Sequence, residues 1–485
     1  TTTITNLGVV EFGGDGGSRT VAGWITDGNN VVCTNTASPN RLIKSGSGTL
    51  TLGNVDNTYS LDTVVSNGTL QIGADGTLGT APGSVSNAHL KLAAGAAIVF
   101  TNGFTLNSNR GITLIGNNPY IAVATGKVVA YNGIITDGAG TYGFIKNQDG
   151  ELVLGGANTY DGGTYLDKGV LTISNASALG TAKLDLGKGA GSTADIATLK
   201  LAGANTVANS ITVKTNAYGV KMIQAVETAT LSGPVTNQEI VDDRFTIDVA
   251  STKTLTMSGV FTSSGGGKIK KTGAGTLLMS NTANTHDQKV QLDNGVLSLS
   301  ASRNLGTEPG GSYSNKIIFN GGTLLANATF TLHTNYATTV SNGNGTINVA
   351  ASQILTYPAI ISGAGMLTKI GNGVLKLNGP NLFTNALVIS TGVVQVGDAS
   401  TAGSLAALTI TNSAMLRWNR SDASTYAGII SGAGSMTNAS GTLTLSGHSP
   451  LTGGTVVTGA STLIVSGSLS NSPVTLTTNC FLKSA

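Results

Sequence analysis

The stretch Asp242-Asp243-Arg244, with Asp248 close behind, comes nearest in this sequence to a catalytic cluster. Glycoside cleavage uses two carboxylates about 5 to 9.5 Å apart, and lyases add a basic residue or a calcium ion held by oxygen ligands. Neighbouring residues of a strand point to opposite faces, so Asp242 and Asp243 would not serve one side together. The pattern fits a turn followed by a strand start. Asp161 and Asp167 read as turn acids by the same reasoning. His89, His286, His333 and His448 share no metal-ligand spacing and are expected at solvated loop or rim positions. Gly265-Gly266-Gly267-Lys268 lacks the spacing and the following helix of a phosphate loop. Lys268, Lys270 and Lys271 are expected to line a solvated edge that discourages strand addition. Calcium-binding Gly-Gly-x-Gly-x-Asp units do not occur in series. Catalytic, cofactor-binding and metal-ligating residues are therefore all expected to be absent, and no cofactor is expected.

Composition says what else the chain is for. Only 10% of its 485 residues are charged, while 40% are hydrophobic, so it has the means to bury a core without the charge that keeps a chain disordered. Thr, Ser, Asn and 68 glycines supply the polarity, which suits short strands separated by turns. The net charge of +3 is scattered, which leaves no basic stripe for nucleic acid. No apolar run approaches the roughly 18 residues of a membrane span, and Thr1 opens no secretion signal. The chain reads as mature, or as a fragment.

A three-part phrase recurs near residues 24–79, 134–180, 260–306, 360–403 and 429–463. First comes an apolar pair before a turn, as in Ile134-Ile135-Thr136-Asp137-Gly138. The second part is a glycine followed by alternating aliphatics, at Gly48, Gly150, Gly275, Gly373 and Gly441, as in Gly48-Thr49-Leu50-Thr51-Leu52. The third repeats that device at Gly68, Gly169, Gly295 and Gly392 and weakens to Ser461-Thr462-Leu463. These nine glycines are expected to shape turns. The second and third parts always lie 19 or 20 residues apart, and a further glycine follows 11 residues on at Gly79, Gly180, Gly306 and Gly403.

One such interval is one coil. It is too short for a strand, a crossover helix and a strand, so each rung must be strand and turn only. Period-two alternation sends Leu50, Leu152, Leu277, Leu375 and Leu443 inward. Stretches such as Ile112-Thr113-Leu114-Ile115, Leu199-Lys200-Leu201 and Ile317-Ile318-Phe319 alternate similarly and read as further rungs. The fold class expected is all-β: a single elongated parallel β-helix, or β-solenoid, continuous over 1–485. At roughly 20 to 25 residues per rung and about 4.8 Å of rise, it would have about 20 to 24 rungs and extend on the order of 100 Å.

The run Gly150-Glu151-Leu152-Val153-Leu154-Gly155-Gly156-Ala157-Asn158-Thr159-Tyr160-Asp161-Gly162-Gly163-Thr164, closed by Gly169-Val170-Leu171, resembles the autotransporter-associated β-strand repeat of bacterial passenger domains. The resemblance implies a secreted, right-handed parallel β-helix, commonly displayed on the cell surface. It covers about half the chain. Other copies vary: Asn57-Thr58-Tyr59 lacks the double glycine, and the third copy has Asn284-Thr285-His286. The many strands of roughly 10 residues that a translocator barrel needs are not found.

The expected function is thus an extracellular structural or adhesive one, without enzymatic activity. The alternatives are a polysaccharide lyase or hydrolase and a carbohydrate-binding β-helix. Cell-surface glycans are candidate partners; nucleic acid and membrane insertion are not. Thr-x-Thr pairs such as Thr49 with Thr51 read as ordinary outward strand residues, since no pair recurs at every rung interval. The segments 1–12 and 472–478 are strand-prone and uncapped, so the chain is also expected to associate with itself head to tail. Cys33 and Cys480 would lie near opposite ends of such a rod, beyond the roughly 4.4 to 6.8 Å Cα separation of a disulfide. A Cys33–Cys480 bond between successive chains is one reading, and two unrelated buried thiols the other.

Overall fold

In a computed structural model, residues 4–5, 9–13, 17–23, 25–26, 41–60, 62–187, 195–203, 206–215, 219–308, 310–311 and 313–484 are described. Their secondary structure is short parallel strands, plus two single-turn 3₁₀ helices at Asp75–Leu78 and Ser302–Leu305 that the sequence did not lead us to expect. The chain is a parallel β-solenoid. It divides into two compact units, residues 1–240 with 244–246, and residues 241–243 with 247–485. No helix among the described residues is long and apolar enough to cross a membrane.

In the first unit an ordinary turn has three strands. Ala97–Phe100, Phe104–Leu106 and Arg110–Leu114 follow one another on three different sheets. The phrase turns are shorter. Between Thr49–Leu52 and Thr63–Val65 the third strand is replaced by a compact loop around Asn57. This changes rung length: Leu50 pairs with Leu70, twenty residues on, whereas Leu70 pairs with Ile98, twenty-eight residues on. The expected range of 20 to 25 is therefore too narrow, because a third strand with its own corner adds several residues.

The phrases also step around the solenoid. The first places Arg41–Lys44 and Thr49–Leu52 on the first and second sheets of the unit. The second phrase places Phe144–Asn147 and Glu151–Leu154 on the second and third. In the second unit the same step separates Ile269–Thr272 and Thr276–Met279 from Leu367–Ile370 and Val374–Leu377. Leu50, Leu152, Leu277, Leu375 and Leu443 all point inward and are at most 2% exposed. Leu50 and Leu152 nevertheless belong to ladders on different sheets.

The cores are aliphatic columns such as Leu255, Leu277, Leu297, Leu324 and Ile347, each in register with the next. Burying a leucine or isoleucine side chain contributes about 1.5 to 3 kcal/mol, and the parallel ladder satisfies the backbone between rungs.

Candidate functional site

The acids considered for catalysis are held by lysines or by turns. Asp242 and Asp243 lie in a turn that precedes the strand Phe245–Val249, and Asp243 adopts a positive φ of 66°. Asp242 accepts a hydrogen bond from the backbone N–H of Lys268 at 3.0 Å. Asp243 lies 3.2 Å from the Lys268 ammonium. Lys270 pairs with Asp293 at 3.2 Å, and Asp248 accepts from the Thr272 hydroxyl at 2.8 Å. Such surface ladders neutralise carboxylates without pairing an acid with a base across a groove. Asp137 accepts from the backbone N–H groups of Tyr142 and Asp161, both at 3.1 Å, and so ties a corner. Among the described residues no group of three or more His, Cys, Asp or Glu is arranged to hold a metal ion.

Two histidines depart from expectation. His448 is exposed and His333 half-buried, but His89 and His286 are buried. His89 lies 3.3 Å from Arg110, whose guanidinium also grips Asp75 and the Leu78 carbonyl. Burial, then the nearby Arg110 charge, pushes the His89 pKa down to about 4. His286 stands where the other phrases place Tyr59 and Tyr160, packed on Phe261. The two tyrosines share hydrogen bonds with Thr63 and Thr164, whereas Val290 takes the corresponding place beside His286.

The lysine group also needs correction. Lys271 is fully buried, not on a solvated edge, and it belongs to a set with Lys44, Lys146 and Lys369. Each is the last or the penultimate residue of the strand entering the corner before the second-part glycine. Lys146 donates to the carbonyls of Asn147, Gln148 and Lys168 at 3.1, 2.8 and 3.2 Å. Lys369 donates likewise to Ile370, Gly371 and Thr391 at 2.8, 2.7 and 3.3 Å. The three donors of an ammonium group are thereby used. In the fifth phrase Asn438 replaces the lysine. There Ser435–Leu445 is one continuous strand, but its two halves pair with the separate strands Thr455–Val457 and Thr462–Val465, so the corner persists as a bend within it.

The phrase glycines divide into two kinds. Gly68, Gly169, Gly295 and Gly392 have φ between 66° and 77°. A Cβ on Gly169 would also meet the Gln148 carbonyl at 2.2 Å and the Lys146 ammonium at 2.8 Å. Gly48, Gly150, Gly275 and Gly373 are not in the left-handed region. They are glycine because the preceding rung leaves no room: a Cβ on Gly150 would lie 2.3 Å from the Ala124 carbonyl. Gly441, at the bend of the fifth phrase, has φ 62°.

A buried asparagine accompanies the lysine. Asn57, Asn158 and Asn284 each accept from a backbone N–H of the rung before, that of Ile25, Ile135 or Phe261, at 2.8 to 2.9 Å. Each donates to a carbonyl twenty residues on. The sequence signal was the recurring Asn-Thr-aromatic triplet.

Outward columns are the remaining surface features. On the second unit's second sheet Thr254, Thr276, Val296, Thr323, Thr346 and Thr368 stand in register. Rung length varies along this sheet, so the column has no constant interval in the sequence. The next outward position reads Thr256, Leu278, Ser298, Leu325 and Asn348, so the threonine ladder is one residue wide. In the first unit Tyr120, Ile145, Tyr165 and Asp185 form an outward column, with Lys183 and Lys214 at 3.2 and 3.5 Å from the Asp185 carboxylate.

Cys480 carries a free thiol near the Thr477 hydroxyl, and that hydrogen bond lowers its pKa. Cys33 lies outside the described residues.

Comparison with known proteins places the phrase. The passenger-associated-transport-repeat model matches residues 42–72, 144–173, 269–299, 367–396 and 440–465, so the chain carries five copies of that repeat. The chain is 29% identical over 338 residues to the adhesin BmaC autotransporter of Brucella suis biovar 1 (strain 1330). That match covers 68% of this chain and 9% of the relative, so the chain spans a small part of the relative's length. No solved structure matches.

Proposed function

From its five passenger-associated transport repeats, we propose that this chain is an extracellular, non-enzymatic β-solenoid of the autotransporter passenger type, displayed at a cell surface and adhesive. The observation that carries the reading is the coincidence of each matched repeat with a lysine- or asparagine-closed rung, a device that builds a scaffold and not a catalytic centre. The adhesin similarity supports the adhesive part, and the engagement of Asp242 by a backbone N–H and of Asp243 and Asp293 by lysines weighs against a lyase or hydrolase.

Cell-surface glycans are the partner class we favour. Tyr120 and Tyr165, two rungs or about 9.6 Å apart on an outward sheet, offer flat faces beside the Lys183–Asp185–Lys214 cluster. Glycan-array binding by the purified chain, and by a Y120A/Y165A double variant, tests this. Binding by the parent and its loss in the variant is expected. Turnover of any polysaccharide by the parent overturns the non-enzymatic reading.

Self-association is a separate proposal. The strands Val474–Leu476 and Phe481–Ser484 expose Leu476, Phe481 and Leu482, an apolar edge suited to a neighbouring strand. A Cys33–Cys480 bond between chains would lock it. Non-reducing electrophoresis of the parent and of Cys480→Ser, with electron microscopy, is the test; a monomer with two free thiols and no filaments refutes it.

A further inference from the structure

The corner lysines Lys44, Lys146, Lys271 and Lys369 are between 0 and 3% exposed. Among the described residues no carboxylate lies at ion-pair distance from any of their ammonium groups; the three acceptors around each are backbone carbonyls. Carbonyl dipoles satisfy the hydrogen-bond donors but bring no counter-charge. A buried cation without an opposite charge is costly, and the ordinary response of such a site is to shed the proton.

We propose that the four lysine-filled corners couple folding to protons, so that acid, which keeps these groups charged, loosens the phrases and alkali, which neutralises them, tightens them. A neutral amine keeps its alkyl packing and retains two N–H donors for the cage. The device is built into the repeat and does not depend on the chain's being an adhesin.

Burial outweighs the charged neighbours. Burial is the first cause acting on all four, and lowers the pKa of Lys44. It brings Lys146 to about 7, with Asp149 and Glu151 opposing and Lys168 assisting. Lys271 falls to about 8 against the pull of Asp248. Lys369 falls to about 8 through burial alone. The sign follows from proton counts. Between these values and the ordinary 10.5 the unfolded chain binds more protons than the folded one, so stability rises with pH through that window. The penalty is fully present below about pH 7 and absent above about pH 10.5. Lys316, also brought to about 7 by burial, adds a contribution of the same sign, so single variants must isolate the corners.

Urea unfolding of the parent, Lys146→Met, Lys369→Met and the exposed control Lys127→Met, measured from pH 6.5 to 10, tests the coupling. The parent's unfolding constant is expected to fall with rising pH, each corner lysine contributing up to about tenfold per pH unit. Each corner variant should lose about one proton of that dependence, and the control none. Carbon-13 labelling at lysine Cε gives a second readout that needs no variant. Buried lysine signals of the folded parent should move from the ammonium to the amine position between about pH 6.5 and 9. Unchanged pH slopes in both folded corner variants, or buried lysine signals still at the ammonium position at pH 10, would overturn the proposal.

Discussion

The amide oxygen of Asn158 accepts the backbone N–H of Ile135 at 2.8 Å, while its amide nitrogen donates to the Ala178 carbonyl, so one buried side chain stitches three successive rungs. The stitch stands where a third strand is missing and replaces ladder hydrogen bonds that the strand would have made. Asn158→Ala leaves a buried donor and a buried acceptor unpaired and should cost about 2 to 6 kcal/mol, at about 1 to 3 for each group. Asn381 donates to Gly379 and Ser404, but its oxygen has no partner among the described residues. Asn381→Ala should therefore cost less in the same urea titration.

Gly126 and Gly169 share a left-handed φ, 72° and 77°, but not their surroundings. A Cβ on Gly126 meets nothing within 4 Å, whereas one on Gly169 meets two carbonyls and the Lys146 ammonium. Asparagine tolerates the left-handed region. Gly126→Asn should therefore shift stability by less than about 1 kcal/mol. Gly169→Asn should lower the thermal midpoint sharply, and equal midpoints would refute the steric argument.

Arg110 is 1% exposed and holds Asp75 together with the Leu78 carbonyl. Removing it opens a buried polar network, so Arg110→Ala should cost about 3 kcal/mol or more in equilibrium unfolding. Its neighbour His89 stays neutral in the fold down to about pH 4. Since an unfolded histidine protonates near pH 6.5, acid favours the unfolded chain between those values. His89→Gln should remove about one proton from the stability slope between pH 4 and 6.5.

Tyr160 and Tyr357 are fully buried, and burial raises both phenols above their usual pKa. The folded chain therefore holds protons that the unfolded chain releases above about pH 10. Stability should fall there, the reverse of the lysine-driven rise below it. Unfolding midpoints scanned from pH 8 to 11 should pass through a maximum near pH 10. Tyr160→Phe should weaken the descending side.

Alternation in Thr49-Leu50-Thr51-Leu52 already determined which residues face the core, because in an extended chain the side-chain direction is a local property. The 19- or 20-residue interval likewise pointed to rungs of strand and turn only, since so short a coil leaves no room for a crossover helix. The polar interior was not legible. Lys271 reads as a surface charge beside Lys268 and Lys270, and only the corner, where three carbonyls from two turns converge, draws it inward. Nor could the sequence separate Gly68, which needs a left-handed turn, from Gly48, which needs empty space against Gly17 of the preceding rung. The same applies to the threonine column from Thr254 to Thr368. Which residues become neighbours depends on how many strands each intervening turn contains, and that number is decided by how rungs pack on one another, not by any local run of residues.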